Sequence, residues 1–341
     1  MKKALIGMSG GVDSSVAVYL LKKQGFECEG VTLALHSTDG VEDAKAVALN
    51  QGISHRVVDA TAEFDAFVKR PFITAYDNAL TPNPCIECNR HVKFKTMFDI
   101  AKREGFSHVA TGHYARIEFK DGRYLLKKGA DEKKDQSYVL YALTQDELSK
   151  LVFPLGEMTK ADIREIAQRE GFVNAKKGDS QDICFIPDGD YAKFILENSS
   201  NTYPEGDFVD LSGKVLGRHR GIIRYTIGQR KGLGLALPQP MYVCEKDLEN
   251  NRVVLGLNTD LFSTELFAKN LNWIAFDSPT TPFKAQAKIR YSHSQSPCTV
   301  YPLEDGGVKV VFDEPQRAIT KGQAVVFYNG DTVLGGGEIE K

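Results

Sequence analysis

Apolar positions in the first 170 residues switch repeatedly between the period of a strand and that of a helix. A short run, Ala4-Leu5-Ile6, gives way to a glycine-rich polar stretch, then to Val16, Ala17, Leu20 and Leu21 at helical spacing. That order predicts strand, tight loop, helix. The alternation continues with a strand at about 26–35, a helix at 42–51 and a strand near 55–58. Helices over 61–79, broken at Pro71, precede a helix at 90–104 and a strand at 107–111. Tyr114 to Lys128 reads as a hairpin turning at Asp121-Gly122, with helices at 145–151 and 160–170 beyond it. Such alternation predicts an α/β unit built on a parallel doubly wound sheet, with ligands at the carboxyl ends of its strands. Both the first loop and Gly112 belong to that edge.

The pattern changes at 198–206. From there short β-branched or aromatic runs alternate with turn signals such as Leu211-Ser212-Gly213, Asp305-Gly306-Gly307 and Asn329-Gly330. This predicts two small β units meeting near residue 265. The expected boundaries are 1–198 for the α/β unit, 203–265 for the first β unit and 266–341 for the second.

Composition narrows the setting. The 341 residues are 42% hydrophobic and 26% charged, as in a soluble globular protein. No apolar run reaches the roughly 18 residues of a membrane span and no signal peptide is visible, so a cytoplasmic protein is expected. Six cysteines in a reducing compartment point to catalysis, redox chemistry or metal binding rather than a disulfide framework. The net charge of −2 hides two acid-free stretches. One, 211–244, carries Lys214, Arg218, Arg220, Arg224, Arg230 and Lys231; the other, 278–303, carries Lys284, Lys288, Arg290 and His293. Either alone reads as a solvated face, but together they favour a surface for a polyanion.

The loop Gly7-Met8-Ser9-Gly10-Gly11-Val12-Asp13-Ser14-Ser15 is the first candidate site. Paired glycines let main chain approach an anion, and the following helix adds free N–H groups carrying about half a positive charge. Ser9, Ser14 and Ser15 add hydroxyls. No Gly-Lys-Ser/Thr ending is present, so this is not a Walker loop. Asp13 would repel a bound phosphate unless a cation intervened, which implies magnesium. The loop resembles the Ser-Gly-Gly-x-Asp-Ser signature of PP-loop ATP pyrophosphatases, a resemblance that implies ATP cleavage between the α- and β-phosphates.

Thr81-Pro82-Asn83-Pro84-Cys85-Ile86-Glu87-Cys88-Asn89-Arg90 is the second. Its prolines stiffen an extended loop, and Cys88 at a helix start followed by Arg90, His91 and Lys93 is expected to have a lowered thiol pKa. The Cys-x-x-Cys spacing alone leaves open a redox pair, half a zinc site or iron–sulfur ligands; no second Cys-x-x-Cys exists. The run 179–185, ending Ile183-Cys184-Phe185, supplies either a third reactive cysteine or a core thiol. Cys28, Cys244 and Cys298 lie in strand-like runs and read as structural. The polar stretch 127–138 is a surface loop or one that orders on phosphates, with Gln136 and Tyr138 placed to contact a base.

These pieces, with Ala110-Thr111-Gly112-His113-Tyr114-Ala115-Arg116, Lys134-Asp135-Gln136-Ser137-Tyr138, Tyr225-Thr226-Ile227-Gly228-Gln229-Arg230-Lys231-Gly232 and Lys288-Ile289-Arg290-Tyr291, come in one order. Over essentially its whole length the chain closely resembles the tRNA-specific 2-thiouridylases. The resemblance implies a Rossmann-like PP-loop domain, a small central β domain contacting tRNA and a C-terminal β-barrel. It implies ATP and magnesium as cofactors, tRNA as substrate, and a persulfide donor or relay protein fed by a cysteine desulfurase as partner. Gly7, Met8, Ser9, Gly10, Gly11, Val12, Asp13, Ser14, Leu33 and Gly112 would bind ATP, with magnesium at Asp13. Cys184 would carry a persulfide and Cys88 would be its catalytic partner, the two closing a disulfide after transfer. Asn83, Pro84 and Cys85 would hold the flipped-out base. His113, Lys134, Asp135, Gln136, Arg290, Tyr291 and Gln323 would contact tRNA.

Two departures matter. Many relatives carry Asp where this chain has Cys85. Cys85, Cys88 and Cys184 are therefore also a three-thiolate set suited to a sulfur-carrying [4Fe–4S] cluster. The connection from His36 to Val41 is also short, which implies a trimmed surface loop. The rivals to tRNA thiolation are another PP-loop adenylating enzyme and a non-catalytic RNA-binding protein.

Overall fold

The computed structural model describes residues 2–37, 39–175, 177–178 and 183–341. Lys176 and the run 179–182 ahead of Cys184 lie outside the described residues.

The first strand, β1 (Lys3–Gly7), leads through the glycine loop into α1 (Val12–Lys23). Then follow β2 (Glu27–Ala34), α2 (Val41–Gln51), β3 (Ser54–Asp59), α3 (Thr61–Phe64) and, after wide turns at Asp65–Lys69, α4 (Arg70–Asp77). Pro71 does not break this stretch: it sits in the first turn of α4, where its missing N–H is not needed. Helix α5 (Pro84–Glu87) passes through wide turns at Cys88–Lys93 into α6 (Phe94–Glu104). Next come β4 (His108–Ala110), the hairpin β5 (Ala115–Lys120) and β6 (Arg123–Lys128), α7 (Gln145–Lys150), β7 (Leu151–Val152), α8 (Lys160–Arg169) and α9 (Tyr191–Asn198).

Five strands form a parallel sheet in the order β3-β2-β1-β4-β7. Neighbouring residues of β1 face opposite ways: Leu5 packs with Phe94, Met97 and Ile100, while Ala4 and Ile6 pack with Val16, Ala44 and Ile163. Both faces are thus covered, as in a doubly wound sheet. The strand order reverses at β1, so the glycine loop and the β4–β5 connection flank the switch point where such sheets bind ligands.

The remaining strands form two units. Gly206–Asp210, Val215–His219, Tyr242–Asp247 and Arg252–Gly256 make a four-stranded sheet. Six strands from Phe262–Trp273 to Thr332–Ile339 close into a barrel through pairing of the first with the last. Local pattern gave no sign of how these units join the α/β part. The hairpin β5–β6 continues the barrel sheet, Lys127 pairing with Thr332, and Tyr138 buries its ring with a hydroxyl donated to Ala324 O at 2.8 Å. Helix residues Phe64, Phe72 and Val92 share one core with Phe208 and Val253 of the four-stranded sheet and with Tyr225 from the connection between its strands.

Candidate active site

Gly10 takes φ +72°, and a Cβ there would lie 2.2 Å from the carbonyl oxygen of Gly40. Only glycine lets the loop press against the start of α2. Gly11 is the N-cap of α1 and supplies no side-chain cap, whereas α7 and α8 carry full capping boxes and α9 is capped by Asp190. The first N–H groups of α1, like those of α2, have no side-chain cap, which leaves them open to an anion. Gly112 abuts the same turn, since a Cβ there would lie 3.0 Å from Ser14 N. Leu33, at the carboxyl end of β2, is partly buried close by in sequence to the same sheet edge.

The serine hydroxyls are committed differently from expectation. Ser14 Oγ donates to Gly11 O at 3.0 Å and accepts from Ser9 N at 3.3 Å; Ser15 Oγ donates to Gly11 O at 3.0 Å. They shape the loop. Asn174, which nothing in local pattern singles out, is buried and donates to Gly10 O at 3.0 Å and Ser15 Oγ at 2.9 Å.

Asp13 is already neutralised. Lys160 Nζ lies 2.7 and 2.9 Å from its two carboxylate oxygens, and Tyr114 donates its hydroxyl to Oδ1 at 2.6 Å. With both oxygens engaged Asp13 does not fit magnesium, so the expected ligand role is replaced by an ion pair. The pairing spans 147 residues of sequence, which hid it from local reading.

The cysteines gather around Lys93. Cys88 is buried, and Cys85 and Cys184 are exposed. Burial pulls the Lys93 ammonium down, but Cys88, then Cys85 and Cys184, more than offset it, and its pKa ends raised. In an ordinary helix Lys93 would stand roughly 140° round from Cys88; i→i+5 hydrogen bonding over Cys88–Lys93 brings positions five apart back toward one face. The expected low pKa of Cys88 is not found. Burial pushes the thiol up to about 11, opposed by Lys93 and reinforced by Cys184 and Cys85. The reason is that Cys88 lies past the first helical turn, in the core, and His91 faces Glu87 (3.4 Å) and Phe67 rather than the thiol. Cys184 is raised as well, by desolvation ahead of the opposing charge of Lys93. Among the described residues no set of three or more His, Cys, Asp or Glu side chains is arranged to hold a metal ion, and the cysteine trio does not fit a cluster as it stands.

His113 connects the two halves of the site. It follows Gly112, accepts or donates at Nδ1 with Thr111 Oγ1 (2.7 Å) and packs between Phe94 and Phe153. Burial and then the charge of Lys93 hold its pKa at about 3, so the ring is neutral. Asn83 caps α5 by accepting from Cys85 N at 3.1 Å, with Pro84 at the first helical position. The barrel holds this loop from the far side: Gln323 Nε2 donates to Thr81 O at 2.8 Å and Thr81 N to Lys321 O at 2.9 Å.

Other residues expected on tRNA have structural tasks. Asp135 is buried and accepts from Gly129 N, Ser137 N and Ser137 Oγ, anchoring the 127–138 loop. Tyr138 is fully buried and does not face a base. Gln136 Oε1 accepts from Tyr114 N at 2.9 Å, and Arg290 donates to the carbonyls of Arg317 and Ala318 at 2.8 Å. Lys134 is partly buried, and Tyr291 remains exposed beside Lys288, whose ammonium lies 5.8 Å from its ring centre.

An uncapped glycine loop at the switch point of a parallel sheet, joined to a closed β-barrel, defines a nucleotide-binding α/β protein with an added β-barrel. Three family descriptions match in order: tRNA methyl transferase HUP domain over 2–188, tRNA methyl transferase PRC-barrel domain over 192–257 and aminomethyltransferase beta-barrel domain over 263–339. A tRNA-specific 2-thiouridylase MnmA of Clostridium botulinum (strain Alaska E43) is 50% identical, covering 99% of this chain and 98% of its own. Its namesake from Clostridioides difficile (strain 630) is 49% identical over 100% and 98%. A solved NMN synthetase from Francisella tularensis is 18% identical with TM-score 0.35, covering 52% of this chain and 66% of its own, too distant to argue from. The chain belongs to the tRNA-specific 2-thiouridylase (MnmA) family.

Proposed function

We propose that this chain is the ATP-dependent sulfurtransferase that replaces the 2-oxygen of the wobble uridine of tRNAs for Lys, Glu and Gln with sulfur. The observation that carries the reading is the pairing of an uncapped phosphate loop with three cysteines around one lysine, linked by Gly112 and His113. A uracil carbonyl oxygen is a poor leaving group. Adenylation by ATP, with pyrophosphate released, turns it into the oxygen of departing AMP. The residues proposed to hold the nucleotide are Gly7 to Ser14, Leu33 and Gly112, with magnesium arriving on the phosphates rather than on Asp13. Asn83, Pro84 and Cys85 hold the base. The units proposed are 1–198 for catalysis, and 203–265 and 266–341 for tRNA.

Sulfur enters as a persulfide on Cys184, supplied by a cysteine desulfurase system. The terminal sulfur attacks C2 of the adenylated base and AMP leaves. Cys88, as thiolate, then attacks Cys184 Sγ; the S–S bond to the base breaks, the thiolated uridine departs, and a Cys88–Cys184 disulfide remains for an external thiol to reduce. Cys88, whose thiol burial pushes up to about 11, must lose its proton for this step, and Lys93 is the counter-charge that favours its thiolate. The methyl transfer named in two family descriptions needs neither a phosphate loop nor paired cysteines, so the site favours thiolation. No helix among the described residues is long and apolar enough to cross a membrane, and a cytoplasmic location is proposed.

The test is ATP cleavage with unmodified tRNA and a persulfide donor. AMP and pyrophosphate should appear only with tRNA present. ADP and phosphate as products would overturn the adenylation step.

A further inference from the structure

Cys85 and Cys88 close one turn of helix. The backbone stays helical through Glu87 (φ −63°, ψ −40°) and Cys88 (φ −61°, ψ −46°), so the two cysteines stand three residues apart on one continuous turn. Residues so spaced have Cα atoms about 5 Å apart, inside the roughly 4.4–6.8 Å that a disulfide spans. The turn is well held. Pro84 opens it, Asn83 Oδ1 accepts from Cys85 N at 3.1 Å, and Gln323 of the barrel grips Thr81 just ahead of it.

Exposure divides the three cysteines around Lys93. Cys88 is 4% exposed and shares a core with Phe64, Val92 and Phe185, whereas Cys85 and Cys184 are open to solvent. A disulfide between Cys88 and Cys184 therefore has one sulfur in the core and the other on the residue that must take the next persulfide. An external thiol attacking Cys184 leaves a mixed disulfide there, and Cys88 can attack that in turn and restore the starting bond. Attack on Cys88 from solvent is blocked by burial. Cys85, one turn away on the same helix, reaches Cys88 from within the protein.

We propose that Cys85 is a third catalytic thiol, a resolving cysteine that takes over the disulfide from Cys184 after each transfer and presents it to an external dithiol. The inference rests on the thiolation reading and its Cys88–Cys184 disulfide. Cys85 loses its proton to solvent and its thiolate attacks Cys88 Sγ. The Cys85–Cys88 bond forms, the Cys88–Cys184 bond breaks and Cys184 leaves as thiolate, with no net change of electrons. A protein dithiol then attacks Cys85 Sγ, and Cys88 leaves as thiolate beside Lys93. The second thiol of the dithiol displaces Cys85, and the two oxidising equivalents depart as the dithiol's own disulfide. The base held against Cys85 leaves with its sulfur, so this thiol is uncovered when the disulfide has just formed.

Peptide mass spectrometry without reduction, after one turnover of the full chain with ATP, tRNA and a persulfide donor and an acid quench, tests this. Wild type should carry a Cys85–Cys88 disulfide that forms only with tRNA present. In Cys85→Ser, whatever the size of its first turnover, the bond should stay at Cys88–Cys184, and later turnovers driven by a protein dithiol should be lost. A wild-type bond that remains at Cys88–Cys184, a Cys85–Cys88 bond formed equally without tRNA, or a Cys85→Ser chain that keeps turning over overturns the proposal. Iron and acid-labile sulfide on the anaerobically purified chain, absent from Cys85→Ser, would overturn it as well, by making Cys85 a cluster ligand. A wild-type chain that yields neither thiolated tRNA nor any disulfide would instead overturn the thiolation reading beneath it.

Discussion

Cys88 and Cys184 are the same residue type in opposite settings, and their chemistry should separate accordingly. Cys88 is buried and its thiol pushed up to about 11, while Cys184 and Cys85 are exposed. Iodoacetamide at neutral pH should therefore label Cys85 and Cys184 well before Cys88, read by peptide mass spectrometry; Cys88 labelled first would contradict the burial. His113 gives a pH signature. Its pKa falls from about 6.5 in the unfolded chain to about 3 in the folded one, through burial and then Lys93. The unfolded state takes up the proton first, so this stability is present above about pH 6.5 and is lost as pH falls toward about 3. The melting temperature of His113→Gln should decline less steeply than wild type between pH 6.5 and 4.5; parallel slopes would refute it. Individual residue types were readable from sequence where their partners were local, as in the glycine loop. Lys160 and Asn174 were not flagged as partners, because their contacts are long-range; Lys93 was read beside Cys88 together with Arg90 and His91, and the i→i+5 turn is what singles it out of the three.

At the scale of elements, the loop between β1 and α1 is set by its neighbours as much as by its own glycines. Asn174 provides two of its buried hydrogen bonds, and removing them should cost about 1–3 kcal/mol. Asn174→Ala is expected to lower the melting temperature and weaken ATP binding together, by differential scanning fluorimetry and calorimetry; unchanged ATP affinity would show that the loop holds its shape unaided. The alternation of strand and helix over the first 170 residues is found in the parallel sheet, and the Asp121-Gly122 turn is found in the hairpin. What periodicity could not show is where that hairpin goes. Its edge is completed by the last strand of the barrel, about 200 residues later, and edge pairing leaves no mark on the pattern of side chains. The interruption expected at Pro71 is absent for a different reason: the proline falls in the first turn of α4, directly after the wide turns at Asp65–Lys69.

At the scale of the whole molecule the barrel holds the cysteine loop in place, through Thr81 N to Lys321 O and Gln323 Nε2 to Thr81 O. Of the basic stretches seen in sequence, Lys214, Arg218, Arg220, Arg230 and Lys231 are exposed, while Arg218 pairs with Asp207 and Lys284 with Asp313. Unmodified tRNA should accordingly bind with an affinity that falls steeply with salt, the slope of log K against log salt reporting released counterions; a flat slope would remove these stretches from the interface. The central claim is the identity of the atom transferred. Nucleoside mass spectrometry of the tRNAs for Lys, Glu and Gln, after single-turnover incubation with ATP and a persulfide donor, should show 2-thiouridine derivatives at the wobble position with the wild-type chain and none with Cys184→Ser or Cys88→Ser. Thiolation undiminished in either variant, or a methylated nucleoside in its place, would contradict the account.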